Sequence, residues 1–126
     1  MQRILEVLQD GWDTEVLQNL SVREFEGALM TGIIDVNQPC DMYANAIFTV
    51  MFNLLPSDGC VAKVALLLQH RANALTENSG ETALEATNRL IDSGLRLSKI
   101  NAWREIRECL RRVEIRDSDL CGWVSL

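Results

Sequence analysis

Short helix-forming segments separated by turn residues recur along this 126-residue chain, and this division most constrains its fold. Apolar residues repeat at intervals of three and four within the segments, which indicates amphipathic helices. Each helix is too short to be stable alone in water, so neighbouring helices must pair and share a core. The order of helix, tight turn, helix and longer connection occurs about three times and predicts stacked helical hairpins in an all-α fold.

The apolar spacing predicts helices at residues 2–9, 14–20, 21–30, 44–55, 60–70, 82–92 and 98–113. Ser21 and Glu24 have the spacing of a capping box, which fixes one of the helix starts. The apolar segment 44–55 has strand-forming residues, but it is long for a strand and no partner strand is predicted, so we interpret it as a buried helix. Trp103 lies on the inward-facing stripe of the last helix.

The composition is that of an ordinary globular protein, with 48% apolar and 24% charged residues. A chain of this length predicts a single domain spanning residues 1–126. The longest apolar run, residues 64–68, is far shorter than the about 20 residues that cross a bilayer, so no membrane association is expected. The first residues reach a charge almost at once and contain no apolar signal core, which predicts a cytoplasmic protein.

The sequence contains no recognisable metal-binding or catalytic pattern. The four cysteines are far apart, and His70, the one histidine, is ten residues from the nearest of them, so zinc-site spacing is missing. Free thiols are expected rather than disulfides, because the sequence predicts a cytoplasmic protein. The position of His70 at a helix end beside Arg71 suits stabilisation of the helix dipole better than catalysis. We therefore predict no enzyme activity, no metal and no cofactor.

Charge is distributed unevenly along the chain, whose net charge is −6. Residues 1–60 contain nine acidic and two basic residues, whereas residues 61–126 contain nine acidic and ten basic residues. Neither half offers an acid-free basic surface, which argues against nucleic acid as the main ligand. The acidic first half would suit a basic protein partner, although such charges most often only face solvent.

One stretch, residues 63–93, resembles the ankyrin-repeat family. Residues 64–73 (VALLLQHRAN) are similar to the outer helix of a repeat and its following loop, and residues 80–84 (GETAL) are similar to the Gly-x-Thr-Pro-Leu motif that opens the next repeat. Asn45 falls where the preceding repeat would open, 37 residues before Thr82, against a usual period of about 33.

The sequence departs from the family pattern at several positions. Arg71 stands where glycine usually lets the chain turn through a left-handed conformation. Ala46 and Ala83 replace proline, and Phe48 and Glu85 replace histidine. The resemblance implies an ankyrin-repeat-like short solenoid with capping helices in residues 1–34, repeats at about 35–73 and 74–115, and a C-terminal tail at 116–126.

The resemblance also implies a protein partner, bound through the turns and the concave face of the inner helices. Aromatic and arginine side chains are frequent at interface hot spots. Trp12 and Tyr43 both lie in predicted turns, and the arginines of the last helix, with Lys99, would suit an acidic peptide, unless they only pair with neighbouring glutamates. The candidate partner-binding residues are Trp12, Tyr43, Arg104, Arg107 and Arg111.

Two other functions remain open at this point. A small acidic inhibitor or chaperone, of the immunity or secretion type, would neutralise one dedicated protein partner with the acidic residues of the first half. Alternatively, the chain would self-associate as a homodimer, because the open ends of a repeat array need to be covered.

Overall fold

The computed structural model describes residues 14–32, 35–40, 42–94 and 97–124, and in the last of these ranges it describes side chains at residues 99–113. The described chain is mostly helical and contains one small hairpin. Its elements are α1 (Thr14–Asn19), α2 (Val22–Met30), α3 (Ala46–Asn53), α4 (Cys60–Gln69), β1 (Glu77–Asn78), β2 (Glu81–Thr82), α5 (Ala83–Ser93) and α6 (Leu97–Val124). The helix predicted at residues 2–9 lies outside the described residues.

Side-chain caps fix the starts of three helices, as local sequence dictates. Ser21 and Glu24 form the predicted capping box at α2, with hydrogen bonds of 3.0 and 3.1 Å. Thr82 and Glu85 form a second one at α5, with hydrogen bonds of 3.0 and 3.3 Å. The Oδ1 atom of Asn45 accepts from the second backbone amide of α3 at 3.1 Å. These contacts satisfy amides that have no partner within their helix.

Residues 46–53 of the apolar segment 44–55 are helical, which confirms a helix rather than a strand in this segment. Every residue from 46 to 51 is buried. A turn predicted at residues 78–80 is the tip of the β1–β2 hairpin, in which Glu77 pairs with Thr82 and Asn78 with Glu81. The two short strands are an addition to the fold that the sequence does not predict.

The last helix, α6, is longer than predicted. Its backbone remains helical through Val124, whereas the apolar spacing predicts an end at Val113. Residues 114–121 contain neither proline nor glycine, so this segment offers no strong stop signal. Residues 116–124 of the predicted tail are therefore part of α6.

The described helices follow one another as a first pair (α1 and α2), a second pair (α3 and α4) and a third pair (α5 and α6). Within pairs, α3 contacts α4 and α5 contacts α6. Between pairs, α1 contacts α3, α2 contacts α4, and α4 contacts α6. The second helices α2, α4 and α6 therefore lie against one another in succession, as do the first helices α1 and α3. The shared core contains Phe25, Phe48, Leu67, Trp103 and Ile106. The burial of Trp103 confirms the inward stripe of the last helix.

Two lysines are buried in this core and make equivalent contacts. The Nζ atom of Lys63 in α4 donates to the main-chain oxygen of Leu17 in α1 at 2.6 Å. The Nζ atom of Lys99 in α6 donates to the main-chain oxygen of Met51 in α3 at 3.2 Å and to that of Phe52 at 3.4 Å. Carbonyls in the last turn of a helix have no partner within that helix. Each lysine thus joins the second helix of one pair to the first helix of the preceding pair.

The burial of Lys99 corrects one prediction. The sequence groups Lys99 with the solvent-facing arginines of the last helix, but only 1% of its surface is exposed. Its ammonium group also lies 5.5 Å from the ring centroid of Trp103, close enough for a cation–π interaction. Lys99 is therefore not available to an acidic peptide.

Candidate protein-interaction surface

Two loops lie side by side along one edge of the protein. The first, residues 35–40 and 42–45, precedes α3, and the second, residues 71–82, precedes α5 and ends at its N-cap. We refer to these residues together as the loop edge. Most of its described side chains are exposed or half-buried.

Hydrogen bonds between the two loops hold the loop edge together. The amide of Asn73 donates to Oδ1 of Asn37 at 2.6 Å, and Nδ2 of Asn37 donates to the oxygen of Arg71 at 3.4 Å. The amide of Ala44 donates to Oδ1 of Asn78 at 3.0 Å. Asparagine serves here because its short side chain both donates and accepts. The two loops therefore hold a defined relative position without a long sheet.

Arg71 adopts a left-handed backbone conformation, with φ of 72°. The amide of Ala72 donates to the oxygen of Leu67 at 3.0 Å, and that of Arg71 to the oxygen of Leu68 at 3.2 Å. This pattern is a Schellman motif, which usually places glycine at the left-handed position. The turn into the loop edge therefore has the conformation in which glycine is favoured, although the residue is arginine.

Two large apolar side chains project from the loop edge. Met42 is 85% exposed and Leu75 is 51% exposed. The backbone on either side of Met42 is held by the paired amides and carbonyls of Cys40 and Tyr43, at 3.0 and 3.1 Å. Neither Met42 nor Leu75 is among the residues that the sequence pattern predicts at an interface. The signal that marks them is a large apolar residue within a turn segment, where polar residues are usual.

Tyr43, a candidate contact, is half-buried at the base of the loop edge. Its ring centroid lies 5.4 Å from that of Phe52, and its hydroxyl donates to Oδ1 of Asn53 at 3.3 Å. Nδ2 of Asn53 in turn donates to Oγ1 of Thr14 at 3.2 Å. Tyr43 therefore presents a fixed, partly exposed ring beside the first helices of two pairs. Trp12, the other aromatic candidate, lies outside the described residues.

The three candidate arginines lie on one side of α6. Arg104 and Arg111 are exposed, and Arg111 forms a 3.3 Å ion pair with Glu108. Arg107 is half-buried, and its Nη1 atom donates to Oδ1 of Asn88 at 3.5 Å. Its Nε atom is buried and has no hydrogen-bond partner among the described residues. Within the described part of the chain, no hydrogen bond or ring contact joins this group to Tyr43, so the structure separates the candidates into two surfaces.

The described cysteines are free thiols, with Cys40 and Cys60 buried and Cys109 half-buried. Burial raises the pKa of the thiol of Cys60, and it also raises the pKa of Cys109. A thiol with a raised pKa is mostly protonated at neutral pH and is a weak nucleophile. These side chains therefore act as small apolar groups in the packing.

Two kinds of feature are absent from the described residues. Within them, no three His, Cys, Asp or Glu side chains lie close enough together to hold a metal ion. None of the described helices combines the length and the apolar character that crossing a membrane requires.

Comparison with protein-family models, with curated proteins and with solved structures finds no match to this chain. The resemblance to ankyrin repeats therefore depends on residues 63–93 and on the shorter motifs before them.

Proposed function

We propose that this protein is an interaction module that binds a partner protein through the loop edge and the adjoining face of the first helices. The observation that carries the proposal is the exposure of Met42 and Leu75 on backbone that is held by hydrogen bonds between two loops. A surface that is already ordered loses little conformational entropy when it binds. Exposed apolar side chains beside a fixed aromatic ring are also typical of interface cores.

We further propose that the helical pairs form an ankyrin-like short solenoid. Equivalent features recur at nearly constant spacing, which supports this proposal. The helix caps Asn45 and Thr82 are 37 residues apart, and the buried lysines Lys63 and Lys99 are 36 residues apart. The left-handed conformation of Arg71 also occurs where the family uses glycine. In such a solenoid the loop edge is the side that contacts protein partners.

A small acidic inhibitor or chaperone is the second candidate function. Glu15 and Glu26 are exposed and form no ion pair within the described part of the chain. Carboxylates without partners are suited to steering a basic protein towards this end of the molecule. This mode of binding would depend on charge, whereas binding through Met42 and Leu75 would depend on apolar contact.

A pull-down from lysate of the source cells tests the first function. The variant Met42→Ser/Leu75→Ser is compared with Met30→Ser/Leu55→Ser, whose parent side chains are 72% and 50% exposed and are not part of the loop edge. We expect the loop-edge variant to lose at least about tenfold in affinity for the captured partner, because each truncation costs on the order of 1–3 kcal/mol. The control should bind normally. Equal binding by both variants would refute the proposal.

The dependence of partner binding on salt concentration distinguishes the two candidate functions. Screening shortens the range of exposed charges to about 3 Å at 1 M salt, compared with about 10 Å at 0.1 M. Binding through the loop edge should survive the higher concentration, and the variant Glu15→Gln/Glu26→Gln should leave it unchanged. A partner that is lost both in high salt and in this glutamine variant would instead indicate the acidic inhibitor.

A further inference from the structure

One face of the third helical pair combines half-buried apolar side chains with Arg104, Arg107 and Arg111, which we call the arginine stripe. We call the whole face the end face, and its residues are Leu84 and Ile91 of α5 with Ile100, Arg104, Arg107 and Arg111 of α6. The hydrogen bond between Arg107 and Asn88 joins the two helices within this face. The end face therefore spans both helices of the last pair.

The end face lies on the side of α6 that points away from the preceding pair. Asn101 and Ala102 of α6 line a groove of about 390 Å³ together with Val61 and Ala62 of α4. With about 3.6 residues per turn, the arginine stripe lies on roughly the opposite side of α6 from Ala102. The end face is thus where a further helical pair would pack if the stack continued.

Residues at corresponding positions of the second pair are more buried than those of the end face. Their comparison shows that the end face is only partly adapted to contact with solvent. Ile47 and Leu54, which lie 37 residues before Leu84 and Ile91, are both 0% exposed. Leu68, 36 residues before Arg104, is 3% exposed. The end face replaces such a buried leucine with arginine but keeps half-buried apolar side chains. Apolar groups surrounded by charged ones are the arrangement of a protein interface rather than of a fully polar capping surface.

The opposite end of the molecule has complementary charge. Glu15 of α1 and Glu26 of α2 are exposed, and neither side chain forms a hydrogen bond or ion pair within the described part of the chain. Arg104 on the end face is likewise without an ion pair among the described residues. Unpaired opposite charges at the two ends of one molecule attract when one copy meets another end to end.

We infer that the end face binds a second copy of this chain, whose acidic first helical pair docks against the arginine stripe. The contact is heterologous, because different surfaces of the two copies meet. The packing that joins successive helical pairs within one chain would then also join two molecules. A net charge of −6 disfavours a nucleic acid on the same arginines. The inference does not depend on the loop edge, which remains open to another partner.

Sedimentation equilibrium of the purified protein over a range of concentrations tests this inference. We expect self-association at about 0.1 M salt, and a dissociation constant at least tenfold higher at about 1 M salt, because the attraction is screened. The variant Arg104→Glu/Arg111→Glu should be monomeric at low salt, as should the variant Glu15→Lys/Glu26→Lys. An equimolar mixture of the two should associate again, because each supplies the charge that the other has lost.

The control is Arg71→Glu/Arg112→Glu, which changes the net charge equally but alters residues outside the end face. It should associate like the original chain. Circular dichroism checks that each variant keeps its helix content, and the neutral variant Arg104→Gln/Arg111→Gln replaces any reversed variant that does not fold. The inference would be overturned if the original chain is a monomer at every concentration, or if the arginine variants leave the dissociation constant unaltered. It would also be overturned if the mixture of the two reversed variants stays monomeric. Arginine-dependent binding of a nucleic acid without self-association would also overturn it.

Discussion

The Nζ atom of Lys63 donates a 2.6 Å hydrogen bond to the main-chain oxygen of Leu17, 46 residues earlier in the chain. Lys63 is 0% exposed, so this charge-assisted bond is made out of contact with water. The helix that it reaches, α1, has six residues and would not be stable alone. The contact therefore holds a short helix in place through its last turn.

The variant Lys63→Ala should lower the free energy of unfolding by about 2–4 kcal/mol, because it creates a cavity and leaves the Leu17 oxygen without its donor. Urea denaturation followed by circular dichroism measures this change. Arg23→Ala, which removes an exposed basic side chain from α2, should change the stability by less than about 0.5 kcal/mol. Equal effects of the two substitutions would show that the buried contact contributes nothing.

The stability of the protein should depend on pH through the same lysine. Burial lowers the pKa of Lys63 from its ordinary value of 10.5, and the charges of Asp58 and Cys60 oppose this only partly. Between the lowered pKa and 10.5 the unfolded chain binds more protons than the folded one. The free energy of unfolding therefore rises with pH through this window, whereas the full cost of the buried charge applies below it.

Comparing the free energy of unfolding of the original chain with that of Lys63→Met isolates the contribution of the lysine charge, because methionine has a similar length and does not titrate. As pH rises from neutral towards 10.5, the stability of the original chain should increase relative to that of the variant. The exposed variant Arg89→Met should show no such trend, since arginine stays protonated over this range. The prediction would be contradicted if the difference in free energy of unfolding between the original chain and Lys63→Met does not change with pH.

Arg71 offers a route to a more stable protein. Its φ of 72° costs an L-residue about 1–2 kcal/mol, a strain that glycine does not have. After the greater flexibility of glycine in the unfolded chain is allowed for, Arg71→Gly should raise the free energy of unfolding by about 0.5–1 kcal/mol. Gly94 has a φ of 63° with open space around it, and Gly94→Ala should lower stability by about 1 kcal/mol. Thermal denaturation of both variants measures these opposite changes.

Features that depend on neighbours within a few residues could be predicted from the sequence. The capping box of Ser21 and Glu24 is one, and the inward position of Trp103 is another, because helical spacing alone determines both. The burial of Lys63 and Lys99 could not be predicted, since their carbonyl partners lie more than 40 residues away. Charged residues are rarely buried unless such partners exist, so spacing favours an exposed position for them.

The interaction surfaces were predictable only in part. Tyr43 lies in the loop that the sequence indicates, but its ring is half-buried against Phe52, which only the folded chain brings near. The exposure of Met42 accompanies the pairing of Cys40 with Tyr43, three residues apart, a local turn that leaves no clear pattern in the sequence. Local spacing therefore predicts helices better than it predicts which loop residues face solvent.

The two loops of the loop edge should be held less firmly together when the side-chain hydrogen bonds of Asn37 are removed. Asn37→Ala deletes both the acceptor of the Asn73 amide and the donor to the Arg71 oxygen. These bonds are exposed, so the free energy of unfolding should fall by only about 0.5–1.5 kcal/mol. Hydrogen exchange at the Asn73 amide should nevertheless become faster, because that amide loses its acceptor.

Affinity for a partner bound at the loop edge should also fall several-fold in Asn37→Ala, although Met42 and Leu75 remain present. The reason is that the two loops must then be ordered during binding, which costs conformational entropy. Gln38→Ala is the matched control, since it truncates the adjacent side chain and leaves both bonds of Asn37 in place. Unchanged exchange at Asn73 in Asn37→Ala would show that the 2.6 Å bond does not hold the loops together in solution. Faster exchange with unchanged affinity would instead show that the partner binds without needing the loops to be ordered beforehand.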